Sequence, residues 1–208
     1  MTVAVDASVS DITAPAVVTL EGLAVRPRDA DLDAALLAAE AALRLPDARR
    51  EAATALTRAM YRRFGVDPTR TRPSSEALLR RVRKGERLPA ISTLVDIVNW
   101  CSVESQVPFG LYDRQAIGPE VVVRLGHDDE AYEGIRKDRV NVAGRLVVAD
   151  DRGAFGNPTS DSARAMVTPV TSDILVVLFF PSPTRAADAD VVTAQTRERL
   201  LTYGRLVQ

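Results

Sequence analysis

This chain is short of the residues on which most enzyme chemistry depends. Among its 208 residues are one cysteine, Cys101, and one histidine, His127. A lone cysteine excludes an intramolecular disulfide and fits a reducing compartment. A lone histidine leaves no Ser–His or Cys–His pair and no histidine-based zinc site. The chain also has no CxxC pair, no glycine-rich phosphate loop and no dinucleotide fingerprint, so neither cofactor nor metal is expected. No apolar run approaches the roughly 20 residues needed to cross a bilayer. The N-terminus, MTVAVDASVSDIT, lacks a basic start and carries Asp6 and Asp11, unlike a secretory signal. Together these absences predict a cytoplasmic protein that does not bind membranes. His127, in the acidic stretch GHDDE, reads as a solvated loop residue. Cys101 falls on the apolar face of a predicted helix and reads as inert packing.

Lysine is scarce too, with only Lys84 and Lys137, while arginine is abundant. A GC-rich genome accounts for that preference as well as phosphate recognition does. The clustering is more telling. Between Arg58 and Arg87 lie ten basic residues against Asp67, Glu76 and Glu86, a net +7 that leaves −8 for the rest of the chain. Arg70, Arg72, Arg80, Arg81, Arg83 and Lys84 are the candidate RNA contacts, since phosphate binding requires a one-signed surface. The competing reading is two solvated helix faces.

With 46% apolar residues, 208 residues suffice for one domain and are short for two. Residues 1–15 read as a flexible arm and 16–208 as a single domain. A strand is predicted over Ala16–Val25. Helices follow over Asp31–Leu43, from an Asp47 N-cap to Phe64, from a Ser74 N-cap to Gly85, and over Ile91–Val103. The segment from Pro108 to Asp113 reads as a tight turn. Strands at Glu120–Leu125, Arg145–Ala149 and Asp173–Phe180 and a helix over Ala186–Tyr203 complete the pattern. A helical first half and a β-rich second half predict an α+β fold.

The stretch from Gly156 to Ser162, GNPTSDS, concentrates an amide, three hydroxyls and a carboxylate, with Arg164, Thr168 and Thr171 close behind. Such groups can orient a water or bind an ammonium. They also build turns on their own backbone, and composition does not choose between the two.

Several motifs in order, GVDPTRTRPSSEALLRRVRKGERLPAISTLVDIVNW, VPFGLYD, VVVRL and LVVADDRG, resemble the editing domain of the phenylalanyl-tRNA synthetase β subunit, and more closely its free-standing relatives. The resemblance runs from about Val17 to Phe180. It implies a layered α+β fold and, as substrate, an aminoacyl-tRNA whose misattached amino acid is hydrolysed from the 3′ end. On that reading Asp161, Ser160, Ser162 and Thr168 form the catalytic group, Asp161 orienting water or binding the substrate ammonium. Asn99, Tyr112, Asn157, Thr159, Arg164 and Thr171 hold the substrate, and the 3′ end enters past Arg80 to Lys84. Two departures bear on specificity. Gly110 stands where the synthetase has a histidine, and GNPTSDS replaces a glycine-rich loop ending in glutamate. Alternatives are a non-catalytic RNA-binding module and a protein that binds a free amino acid. Neither the amino acid, the tRNA nor the oligomeric state is readable.

Overall fold

The computed structural model describes residues 2–135 and 138–204; Lys137 and the predicted domain end at residue 208 lie outside the described residues. The first element is β1 (Thr2–Val5), then β2 (Ala16–Leu20) and four helices: α1 (Ala30–Leu43), α2 (Ala48–Arg63), α3 (Ser74–Arg83) and α4 (Thr93–Ser105). Strands β3 (Phe109–Asp113), β4 (Glu120–Leu125), β5 (Ala131–Glu133), β6 (Arg139–Asn141), β7 (Leu146–Asp150), β8 (Gly153–Gly156) and β9 (Ile174–Leu178) precede α5 (Ala186–Gly204). The fold is α+β, with helices concentrated early and strands late.

Capping chemistry sets several helix boundaries. The Asp29 carboxylate accepts the Leu32 N–H ahead of α1, and Asp47 accepts those of Arg49 and Arg50 ahead of α2, satisfying donors the helix leaves orphaned. Gly65 and Gly85 follow α2 and α3 with φ of 75° and 86°, where a side chain would be strained.

The organising layer is the antiparallel sheet β2–β9–β3. Central β9, ILVVL, is buried on both faces. Ile174, Val176 and Leu178 pack with Leu36, Leu79, Leu94, Ile97 and Leu200 of the helical layer. Leu175 and Val177 pack against Val121, Val123, Leu146 and Val148 of a second sheet, ordered β1–β4–β7–β8. A strand covered on both sides must read as an unbroken apolar run, and this one does. Met60 and Tyr61 of α2, with Phe64 just after it, close the same inter-sheet core. Outside the second sheet lies the small β5–β6 hairpin, whose Tyr132 and Val140 pack on Val142, Val147 and Ala149.

Four expectations need correction. Among the described residues, 2–15 are not a loose arm: β1 pairs in parallel with β4 at the sheet edge, and Val9 and Thr13 are buried, the Thr13 hydroxyl donating to the Phe180 carbonyl. The segment PFGLYD is not a tight turn; Phe109–Asp113 pairs antiparallel with β9, and the chain turns only after Asp113 accepts the Gln115 N–H. Strand β2 stops at Leu20, ahead of Gly22 with φ of 68°. Ser74 does not cap α3. Pro73 occupies the N-cap position, and the Ser74 hydroxyl donates instead to the Pro158 carbonyl at 3.3 Å.

Candidate functional site

Strand β8 ends at Gly156, and the loop that follows is gripped by three of the chain's four tyrosines. From α2, the Tyr61 hydroxyl donates to the Pro158 carbonyl at 2.8 Å and lies 3.2 Å from Thr159 Oγ1. From β5, the Tyr132 hydroxyl donates to the Ser160 carbonyl at 2.5 Å while accepting from Asn157 Nδ2 at 2.7 Å. From β3, the Tyr112 hydroxyl donates to Asp161 Oδ1 at 2.8 Å. The Asn157 Oδ1 accepts the Thr159 and Ser160 N–H groups at 2.7 and 2.9 Å, fixing the turn itself. Ser162 pairs with Gly134 of the hairpin, takes part in the bond from its N–H to the Phe155 carbonyl, and accepts the Ala165 N–H on its hydroxyl. Most polar groups of GNPTSDS therefore shape the loop. Asp161 is the exception.

The Asp161 side chain sits between β3 and the loop. Burial pushes its carboxyl up to about 7, although the Tyr112 hydroxyl and the backbone N–H groups of Leu111 and Asn157 favour the charged form. Burial also raises the Tyr61, Tyr112 and Tyr132 phenols, so each remains a hydrogen-bond donor at neutral pH. A carboxyl that changes charge near neutrality can accept a proton from water and return it.

Glycines create the room for Tyr112. A Cβ built on Gly110 would lie 2.1 Å from the Tyr112 hydroxyl oxygen, and one on Gly156 would lie 2.2 Å from it. The tip of the ring therefore fills a gap that opens only because both neighbours lack side chains. Phe155 meets the ring edge-on, centroids 4.9 Å apart at 85°.

Other candidates lie apart. Asn99 is half-buried in α4, whose core residues pack on the opposite face of β2–β9–β3 from Tyr112. Thr168 and Thr171 form their own knot. The Thr168 N–H donates to Thr171 Oγ1 at 2.9 Å, and Thr171 Oγ1 donates to Asp113 Oδ2 at 2.5 Å. Asp113 is adjacent to Tyr112 in β3, and successive strand side chains point to opposite faces. Arg164 makes a two-point pair with buried Asp150 at 2.8 and 3.0 Å and lies over Phe155. Its contact with the site is thus through the Phe155 ring. Burial alone would raise Asp150, but Arg164 and the N–H groups of Gly118 and Arg152 hold it at about 2.

The basic residues are less one-signed than their sequence. Arg81 pairs with Glu86 at 3.0 Å, Arg83 with Glu51 of α2 at 2.5 Å, Arg72 with Glu76 at 3.2 Å, and Arg70 with Asp67 at 3.8 Å. Among the described residues Arg80 and Lys84 have no carboxylate at ion-pair distance, and both are exposed. They line a cleft of about 600 Å³ between α2 and α3 with Arg58, Arg62 and Arg83, five cations against Glu51 and Glu76. A larger cavity of about 850 Å³ lies between α2, α4 and α5 and is lined by none of the candidate residues. Much of that cavity's charged rim is paired within itself, Arg199 with Glu104, Arg185 with Asp188 and Arg50 with Asp47.

Sequence reasoning missed Tyr61 and Tyr132, read Ser74 as a cap, and noted Gly110 only as a departure from the synthetase, without its pairing with Gly156 around Tyr112. Among the described residues no group of three or more His, Cys, Asp or Glu could hold a metal ion, and no helix is long and apolar enough to cross a membrane.

Over 92 residues, 43% of this chain and 12% of the relative, the sequence is 30% identical to the phenylalanine–tRNA ligase β subunit of Psychrobacter arcticus. The fold is similar to an N-terminal fragment of the phenylalanyl-tRNA synthetase β subunit from Pyrococcus horikoshii, with a TM-score of 0.51 at 14% identity. That match covers 98% of this chain and 49% of the fragment, so the chain spans less than half of either relative. The B3/4 domain model matches residues 56–200, taking in α3, α4, strands β3 to β9 and the Tyr112–Asp161 pair. The chain belongs to the B3/4 domain family.

Proposed function

We propose that this protein is an aminoacyl-tRNA deacylase acting as a cytoplasmic trans-editing factor. It hydrolyses the ester that joins a misattached amino acid to the 3′ end of tRNA. The observation that carries this reading is the Asp161 carboxyl, half-buried beside a shaped loop, held by the Tyr112 hydroxyl at 2.8 Å and pushed up to about 7 by burial. As the carboxylate it takes a proton from water while the water oxygen bonds to the ester carbonyl carbon. The carbon–oxygen bond to the ribose then breaks, and the proton passes to the departing 3′ oxygen. An aminoacyl ester is already activated, so a positioned water and a base suffice without histidine or cysteine. Ser160, Ser162, Asn157 and Thr159 hold the loop that presents Asp161.

The RNA track in this reading is the cleft between α2 and α3. The same two helices hold the loop through Tyr61 and Ser74, so phosphates bound at Arg80 and Lys84 lead toward Asp161. The likeness to synthetase β subunits, at 30% identity over part of the chain, supports the substrate class.

The test is deacylation of a panel of mischarged tRNAs by wild type and Asp161→Asn. The substitution keeps size and removes the charge. Hydrolysis should fall roughly ten- to a thousand-fold with tRNA affinity nearly unchanged, the usual cost of one positioned polar group. Equal turnover in the two proteins removes Asp161 from the chemistry. A wild type that binds tRNA and hydrolyses nothing in the panel leaves the non-catalytic RNA-binding reading.

A further inference from the structure

Tyr112 begins as a residue that touches substrate, but its surroundings give it a different task. Its side chain is fully buried between the two sheets. The ring tip occupies the glycine-walled gap of Gly110 and Gly156, and Phe155 meets it edge-on. A ring so held has little rotamer freedom left to lose, and its single hydroxyl proton is committed to Asp161 Oδ1 at 2.8 Å.

We propose that Tyr112 is a positioning residue: wedged between Gly110 and Gly156, it fixes the orientation of the Asp161 carboxyl and determines how readily that carboxyl holds its proton. The consequence for catalysis rests on the deacylase reading; the coupling itself does not. A hydroxyl that donates to a carboxylate stabilises the charged form, so it opposes the burial that favours the neutral acid. The other groups facing Asp161 are few. The Leu111 N–H comes from β3 and the Asn157 N–H from the loop, both favouring charge. From the hairpin comes the Tyr132 hydroxyl, which is committed to the Ser160 carbonyl, and Tyr132 in turn feels Arg145 and Glu130. Tyr112 is therefore the one side-chain hydroxyl in direct donation to this carboxyl among the described residues.

The experiment follows the Asp161 carboxyl carbon by NMR from pH 4 to 9, the resonance being identified by its loss in Asp161→Asn. Tyr112→Phe keeps the ring in its gap and removes only the hydroxyl. Its midpoint should move up from the wild-type value by about one pH unit, a tenfold change in the dissociation constant. The alkaline-rising limb of any hydrolysis profile should move with it, at unchanged KM. A purely space-filling tyrosine would leave the midpoint where it is, and superimposable titrations overturn the proposal. Site-specific 3-fluorotyrosine at position 112, with the fold checked by circular dichroism, gives a second reading that keeps both ring and hydroxyl. The more acidic phenol donates more strongly, so the midpoint should fall, and an unmoved midpoint also overturns the proposal. If the midpoint moves as expected in a protein that hydrolyses no aminoacyl ester, the deacylase reading fails and the Tyr112–Asp161 coupling stands.

Discussion

Arg164 and Thr171 show how far one side chain's chemistry can mislead when its partners are unknown. Both follow a hydroxyl-rich loop closely enough in sequence to share a pocket with it. Arg164 spends its guanidinium on Asp150, whose side chain is fully buried, and so pins the β7–β8 hairpin. Thr171 spends its hydroxyl on Asp113. Arg164→Met should keep most of the packing on Phe155 while leaving the buried Asp150 carboxylate only the Gly118 and Arg152 N–H groups and the more distant Arg152 guanidinium. The cost should be about 2 kcal/mol in chemical denaturation, below the full penalty for breaking a buried pair because Arg164 is 30% exposed. Asp161 differs from Asp150 in having a neutral hydroxyl as its side-chain partner, which leaves it able to change charge.

At the scale of the element, α3 carries the clearest test of the RNA reading. Its sequence places Arg80, Arg81, Arg83 and Lys84 on one stretch, but Glu51 and Glu86 neutralise Arg83 and Arg81 from outside the helix. The charges available to a phosphate are then Arg80 and Lys84. Arg80→Glu with Lys84→Glu should weaken tRNA binding more than Arg81→Glu with Arg83→Glu. The first pair should also flatten the dependence of affinity on salt by about two counterions. Glu51→Gln should tighten binding by freeing Arg83. The buried side of α3, Leu79 and Val82, is untouched, so circular dichroism should be unchanged in every variant. Equal affinities across the series would return α3 to a solvated face.

At the scale of the whole molecule, desolvated Asp161 and Asp96 and ion-paired Glu130 and Asp150 form two sets of carboxyl groups with opposite consequences. Asp161 and Asp96 are raised by burial, to about 7 and about 6. Between the ordinary carboxyl range and those values the native state keeps protons that the unfolded chain releases, so stability falls as pH rises from about 4 to 7. Glu130, held at about 2 chiefly by its hydrogen bond from Arg124, and Asp150, also at about 2, act the other way. Their contribution is present above the unfolded carboxyl range and is lost as pH falls through it toward 2. Denaturant midpoints measured from pH 3 to 8 should therefore peak at about pH 5, on the acidic side of neutrality. Asp161→Asn should flatten the decline above that peak, and a wild-type stability that climbs steadily to pH 8 would refute the assignment.

Sequence alone determined what local chemistry can fix. Asp47 and Gly85 mark helix ends because a cap or a positive φ depends on the nearest residues. The branched residues of Asp173–Phe180 announced a strand, and the ordered motifs from Val17 to Phe180 were enough to name the family. Where local and long-range demands compete, the tertiary structure decided. Nothing near Phe109 shows that β9 will pair with it, so a strand read as a turn. Nothing near Ser74 shows that Pro158 will take its hydroxyl, so a loop tether read as a cap. The site itself spans such distances: Tyr112 and Asp161 are 49 positions apart, and Tyr61 and Pro158 are 97. A side chain's residue type sets what it can donate or accept, but only the packed fold sets which partner it meets and how little water surrounds them. That is why the sequence could propose Asp161, while the carboxyl near neutral pH, the tyrosine that holds it and the glycines that make room for that tyrosine belong to the three-dimensional structure.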